Sequence, residues 1–545
     1  MNCDERRKHS DDGGRMKLSL PRQRILGNPV SRCHQLVSRL LGAGLALTAS
    51  ALTCVGPAQS AELRQMVERY RVTHEGQILA QLDGLVRIRS VAADPVGLHA
   101  AARMLVDALR RRGFEAQALT EGGAPPLVTG QWRAAGAVRT VVFYAHYDGQ
   151  PVNPSQWRSD PFTPVLRSGP SANARLIDWR TAAPPFDPEG RLFGRAAADD
   201  KASIIAFLAA FDALRAAHVP PAINIKVVWE GEEEEGSPHL EQELRQHAAL
   251  LSADLWLIGD GPIHQSGAPM LYFGARGVIG LDLTVYGANR ALHDGHYGNW
   301  APNPAALAAT LIASMRAPDG RILIPGFDAG VQPLTAAEQQ AIRALPSVDR
   351  ALQQTFGIGQ PESEQGLALS LMRPALNVRG LRAGEVGPAA ANAIPTEAHI
   401  SLDFRLVPDQ TIAGTGAAVE RFLQAQGWTV VREPPDAATR IAYPRLIRVQ
   451  WGAGYPALRT DLTSPAAQAV VRAARAAASR PVALMPMMGA SVPIYLIDEI
   501  LHARVVGLPI VNYDDNQHAA NENLRLQNLW DGIELYAQMM ATLHW

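Results

Sequence analysis

Five segments of this 545-residue chain place histidines or clustered acids at or just beyond apolar runs, or in turns. His146-Tyr147-Asp148 follows RTVVFYA at 139–145, and Glu230-Gly-Glu-Glu-Glu-Glu235 follows INIKVVW at 223–229. Asp260 follows LWLIG at 255–259, and His518 follows VVGLPIVNYDD at 505–515. Asp199-Asp200 follows a Gly-Arg turn and precedes an apolar helical segment. Singly, each has a bland reading. An HxD is a core or surface pair, a Glu run is a solvated face, a pair of Asp is a helix cap, and a strand-end Asp is a turn residue. Their joint occurrence at strand ends argues for convergence, because open α/β sheets bind ligands outside the carboxyl ends of their strands. Clustered carboxylates repel one another and are costly to bury without cations. Two histidines with several acids and no thiolate suit a divalent ion such as zinc, manganese or cobalt. A carboxylate shared by two ions holds them about 3.5–4 Å apart, where they acidify a water and polarise a carbonyl. An unligated Glu beside them can carry the proton to a leaving amine.

The elements that must position these residues alternate in type. Glu75–Arg89, Gly97–Arg112 and Lys201–Ala217 read as helices, and Arg139–Ala145, Ile223–Trp229 and Leu255–Ile258 as strands buried on both faces. That alternation predicts an α/β fold with a mostly parallel sheet. After Gly277 the pattern changes. Val278–Tyr286 alternates, helices are expected near Pro304–Arg316 and Ile412–Gln426, and strands near Ala375–Arg379, His399–Leu406 and Thr429–Arg432. This predicts an inserted α+β sandwich. A helix at Ser464–Ala478 and the apolar Val505–Val511 return the chain to the first fold. The expected organisation is a leader at 1–60, a catalytic domain in two parts at 61–277 and 458–545, and the insertion at 278–457. Stretches 167–190 and 319–335 read as loops.

The leader is basic over residues 1–39 and apolar from Leu40 to Val55, followed by small residues at Ala58-Gln59-Ser60. That order predicts a secretory signal cleaved near Ser60, hence export to a periplasm or the exterior. The run is short for a membrane span, so no stable span is expected after processing. Cys3, Cys33 and Cys54 all lie in it, so the mature chain has no disulfide or thiolate ligand. The net charge of −1 gives no reason to expect nucleic acid as a partner.

The motifs resemble a known family, the di-zinc peptidases that include carnosinase, cytosolic non-specific dipeptidase, glutamate carboxypeptidase and succinyl-diaminopimelate desuccinylase. The likeness covers nearly the whole mature chain. It rests on AHYDGQPV at 145–152, FGRAAADDKAS at 193–203, EGEEEEGS at 230–237, GDGP at 259–262, ALHDGHYG at 291–298, RLVP at 405–408 and NQHAANE at 516–522. It implies two metal ions, zinc by the family's habit. His146 and Asp260 would hold one, Glu234 and His518 the other, and Asp199 would bridge them. It implies Glu233 as general base and Asp148 as the group that orients the His146 ring. Counting back from Gly236-Ser237 selects Glu233 and Glu234, and a one-residue slip within Glu232–Glu235 would select Glu234 and Glu235. The insertion resembles a lid and dimerisation domain, which implies a homodimer. There His293 matches a histidine that serves the partner's site, Arg405 one that grips a substrate carboxylate, and Asn392 a polar substrate contact.

Asp at position 260, where carboxypeptidases and deacylases of the family tend to carry Glu, favours a dipeptidase acting on small peptides with a free C-terminal carboxylate. An N-acyl amino acid deacylase or carboxypeptidase is the alternative, and a non-catalytic metal- or peptide-binding protein a remote one. The chain departs from the family at Ala196 and Ala202, where glycine is usual, at Asp294 after His293, and at Asn516-Gln517 before His518.

Overall fold

The computed structural model describes residues 57–545, so the basic and apolar parts of the expected leader, with its three cysteines, lie outside the described residues. An eight-stranded sheet forms the larger half of the fold. Its order is Glu115–Leu119, Leu127–Trp132, Asn224–Glu230, Thr140–His146, Leu255–Ile258, Arg504–Gly507, Met270–Tyr272, Ala483–Met485. The four strands from Asn224–Glu230 to Arg504–Gly507 are mutually parallel. Their residues are buried nearly throughout because helices cover both faces. Helices Pro57–Val86, Lys201–Ala216, Pro465–Ala477 and Leu526–Thr542 pack together on one face. Lys201–Ala216 is buried almost all round, as its unbroken run of Ile, Ala, Phe and Leu requires.

The first helix is longer than the sequence reading gives it. It begins at Pro57, inside the segment read as leader, and runs to Val86 rather than from Glu75 to Arg89. Ser60 is buried, and its Oγ accepts from Gln538 Nε2 at 3.1 Å. The small residue read as a cleavage context is a packing contact with the C-terminal helix.

A separate five-stranded sheet is ordered Ala375–Arg382, Glu397–Leu406, Gly277–Tyr286, Leu446–Tyr455, Thr429–Val431. All its pairings are antiparallel except the last. Alternate residues of its central strands, Leu281, Leu283, Ile400, Leu402 and Phe404 among them, join helices Pro304–Met315 and Ile412–Ala425 in a core of their own. The chain enters this part beside the strand pair Gly274–Ala275 and Leu458–Arg459. A Cβ on Gly274 would lie 1.9 Å from the Leu458 carbonyl oxygen, so the two connections can run this close only with glycine there.

A small sheet ties the ends of the larger half together. Arg191–Phe193 pairs with Asn523–Arg525 on one side and Val165–Arg167 on the other. The stretch at 167–190 is a long connection anchored by Glu75, whose buried carboxylate accepts from the Phe186 amide at 2.6 Å. Among the described residues, no helix is long and apolar enough to cross a membrane.

Candidate metal centre

The parallel strands deliver the side chains. His146 is the last residue of its strand, Glu230 the last of the next, and Asp260 lies two residues past Ile258. Asp199 sits in the turn before helix Lys201–Ala216, and His518 in the loop before Asn523–Arg525. Two groups of potential ligand atoms result. His146, Asp199 and Asp260 form one, and Asp199, Glu234 and His518 the other, with the atoms of each within 4.8 Å of one another. Asp199 belongs to both. Its Oδ1 lies 3.0 Å from His146 Nε2, and its Oδ2 lies 3.1 Å from His518 Nε2. His518 Nε2 is also 3.1 Å from Glu234 Oε2.

Asp148 connects the two groups. Its Oδ1 lies 3.2 Å from His146 Nδ1, and its Oδ2 accepts from the Glu234 amide at 3.0 Å. Glu233 Oε2 stands 4.0 Å from His146 Nε2 and belongs to neither triad. Glu232 is turned to His239, and Glu235 is exposed. Asp200 faces elsewhere, accepting from the Ser203 hydroxyl.

The site carries an excess of negative charge. Five carboxylates, from Asp148, Asp199, Glu233, Glu234 and Asp260, surround two imidazoles. Burial and the neighbouring Asp199 push Asp260 up to about 7. Burial and the Asp260 charge hold Glu233 well above the usual carboxylate range. Burial opposes the charged form of His146, but its contacts with Asp148 and Asp199 outweigh that and raise it well above an ordinary histidine. Contacts with Asp199 and Glu234 raise His518 to about 10. Burial likewise opposes the Asp199 carboxylate, yet the two imidazoles hold it well below its ordinary value. Apart from Asp199, the shifted groups report surplus negative charge. Divalent cations would offset it, and this all-nitrogen and oxygen donor set fits them.

Sequence reasoning missed the groups that hold this arrangement. Glu522 is fully buried and accepts from Arg195 Nη1 at 2.8 Å and from the amides of Ala196, Ala198 and Asp199 at 2.9, 3.0 and 3.1 Å. It thereby fastens the Asp199 turn to the loop that carries His518. Glu522 stands inside the NQHAANE motif, but a carboxylate that serves backbone amides leaves no spacing signal. Gln517, a departure from the family pattern, donates to Asp199 Oδ2 at 2.9 Å, and Gln150 donates to Glu234 Oε2 at 2.8 Å. Ala196 and His518 both have positive φ, near 60°. That region is unfavourable for residues other than glycine and is held here by the surrounding hydrogen bonds.

The residues expected from the second sheet, Arg405, His293 and Asn392, belong to neither triad. Arg405 donates to Asp403 Oδ2 and to Ser491 Oγ, both at 2.8 Å. Burial and the Glu233 charge raise the Tyr455 phenol while Arg405 opposes, so Tyr455 feels the charge of both parts of the molecule. His293 and Asn392 are exposed on the short pairing of Leu292–His293 with Ala393–Ile394. Among the described residues neither side chain hydrogen-bonds to the clustered groups.

A family model described as peptidase family M20/M25/M40 matches residues 142–542, which span all five motifs. The chain belongs to this family. It is a hydrolase of metallopeptidase kind. It is 27% identical to the Cys-Gly metallodipeptidase dug1 of Schizosaccharomyces pombe, over 77% of this chain and 83% of that protein. It is 25% identical to the Beta-Ala-His dipeptidase of Homo sapiens, over 90% of this chain and 95% of that protein. In fold it is similar to the M20 family metallo-carboxypeptidase Sso-CP2 from Sulfolobus solfataricus. That structure superposes with a TM-score of 0.69 at 24% identity, covering 86% of this chain and 99% of the other.

Proposed function

We propose that the protein is a two-metal dipeptidase that hydrolyses small peptides with a free C-terminal carboxylate. The observation that carries this reading is the pair of ligand triads sharing Asp199, one oxygen turned to each. In it, His146 and Asp260 hold one divalent ion and Glu234 and His518 the other, with zinc as the ion and manganese or cobalt as substitutes. The exposure of Glu235 and the engagement of Glu232 by His239 support the assignment of Glu233 and Glu234 within the run. The ions supply Lewis acidity, acidifying water and polarising the scissile carbonyl. Asp148 fixes the tautomer and tilt of the His146 ring through Nδ1. Glu233 holds no ligand position in either triad, so its carboxylate is free to accept the proton of the attacking water and return it to the leaving amine. Its Oε2 stands 4.0 Å from His146 Nε2, which keeps it beside the first triad without joining it. Arg405 supplies a planar fork for the substrate carboxylate. The relatives named for activity on Cys-Gly and on Beta-Ala-His support a dipeptide as substrate.

In the same reading the protein is a homodimer through the second sheet domain, and His293 and Asn392 complete the partner's site. The N-terminal leader directs export and is removed near Ser60. The Glu233→Gln protein tests the central claim. Its kcat on a dipeptide is expected to fall by about 10²–10⁴-fold with unchanged metal content. Wild-type turnover would refute the role of Glu233. Chelation is expected to abolish hydrolysis, and zinc, manganese or cobalt to restore it.

A further inference from the structure

Beside the candidate centre lies a cavity of about 550 Å3. Gly261, the residue after Asp260, lines it, as does Gln517, which donates to Asp199. The Tyr272 ring forms part of its wall, and the hydroxyl donates to the Asp260 carbonyl at 3.0 Å. The cavity is therefore continuous with the backbone that presents the potential ligands. Its remaining wall is mainly aliphatic and thioether. Leu345, Leu367 and Leu371 come from the segment after helix Ala336–Arg343, and Met485 and Met488 from the end of the outermost strand.

The few polar groups in this wall are already committed or face solvent. Asp349 Oδ1 accepts from the Leu367 amide at 2.7 Å, capping the short helix Leu367–Leu371. His264 is buried, pairs with Ser266 and is held below its ordinary value by burial. Arg343 is exposed. Against the Leu, Met and Tyr part of this wall a charged side chain would lose its water, whereas an apolar one would exchange water for that surface. Methionines suit side chains of varied outline, because their thioethers repack readily.

We infer that this cavity takes a large apolar side chain of the peptide, so the enzyme prefers dipeptides carrying leucine, methionine or phenylalanine over those with small or charged residues. The inference rests on the dipeptidase reading and names the substrate class for that site. Its occupant follows from the adjacency of the cavity to the centre, through Gly261 next to Asp260, Gln517 on Asp199 and Tyr272 on the Asp260 carbonyl.

The test uses the purified, metal-loaded full-length protein and two dipeptide series, X-Ala and Ala-X, with X as Ala, Leu, Phe, Asp or Lys. In at least one series, Leu and Phe are expected to exceed Ala by about tenfold or more in kcat/KM, with Asp and Lys below Ala. In that series the Leu-to-Ala ratio is expected to collapse toward one in Leu371→Asp and in Met488→Lys. Leu367→Asp replaces either variant that does not fold. A flat profile in both series, a preference for charged X, or an unchanged ratio in the folded variants overturns the pocket while leaving the peptidase reading intact. Hydrolysis of no dipeptide at all by the folded, metal-loaded protein overturns both.

Discussion

At the scale of single residues, the centre depends on a carboxylate that touches no ligand atom. Glu522 faces four donors, one guanidinium and three amides. In Glu522→Gln one acceptor oxygen becomes an NH2 group that must point at another N–H, leaving buried donors unpaired. The Asp199 turn and the His518 loop then lose their common anchor. Affinity for divalent metal is expected to fall by about 10–100-fold, as measured by competition with a chromogenic chelator. Wild-type affinity in the variant would show that the two loops hold their positions without it. The site itself was largely legible in the sequence, because histidines and acids beyond apolar strands are rare enough to stand out when five recur. Glu522, Gln517 and Gln150 were not legible, since their work is done on atoms far away in sequence.

At the scale of elements, helix Leu240–Gln246 carries a liability. Glu243 is buried without a partner for Oε1, and burial together with the Glu230 and Glu232 charges raises it to about 8 from 4.5. A carboxyl raised on folding binds its proton more tightly in the native state. Its stabilising effect is fully present below about pH 4.5 and is lost as pH rises through about 8. Glu243→Gln keeps the neutral shape and removes that dependence. Its melting temperature relative to wild type is expected to rise by a few degrees between pH 5 and pH 9. A gap that stays constant or shrinks would contradict the buried-acid account. Strands buried on both faces were read correctly from their apolar runs, as were the helices near Pro304–Met315, Ile412–Ala425 and Pro465–Ala477. The strand Leu446–Tyr455 was missed because exposed glycines blur its alternation. The three-residue strands Met270–Tyr272 and Ala483–Met485 are too short to carry a period. The first helix was cut short because its N-terminal half is mostly polar, with Leu63 and Val67 as buried apolar contacts before Glu75.

At the scale of the whole molecule, the exposure of His293 and Asn392 sets a test of assembly. If each site borrows His293 from its neighbour, Glu233→Gln and His293→Ala are each inactive alone but complement when mixed. A mixed dimer then has one intact site, and random reassortment restores about a quarter of wild-type activity, the share set by two-fold symmetry. No recovery after subunit exchange, verified by mass, would remove His293 from the partner's site. The two-part layout of the larger half was visible in the sequence as a return to buried apolar runs after the alternating middle. The pairing of Arg191–Phe193 with Asn523–Arg525 was not, since both strands are three residues long and far apart in the chain.

That small pairing, with Glu522 beside it, has a bearing on biogenesis. The turn presenting Asp199 has its anchor more than three hundred positions downstream, so a growing chain on the ribosome can make most of the protein while lacking any hydrolytic centre.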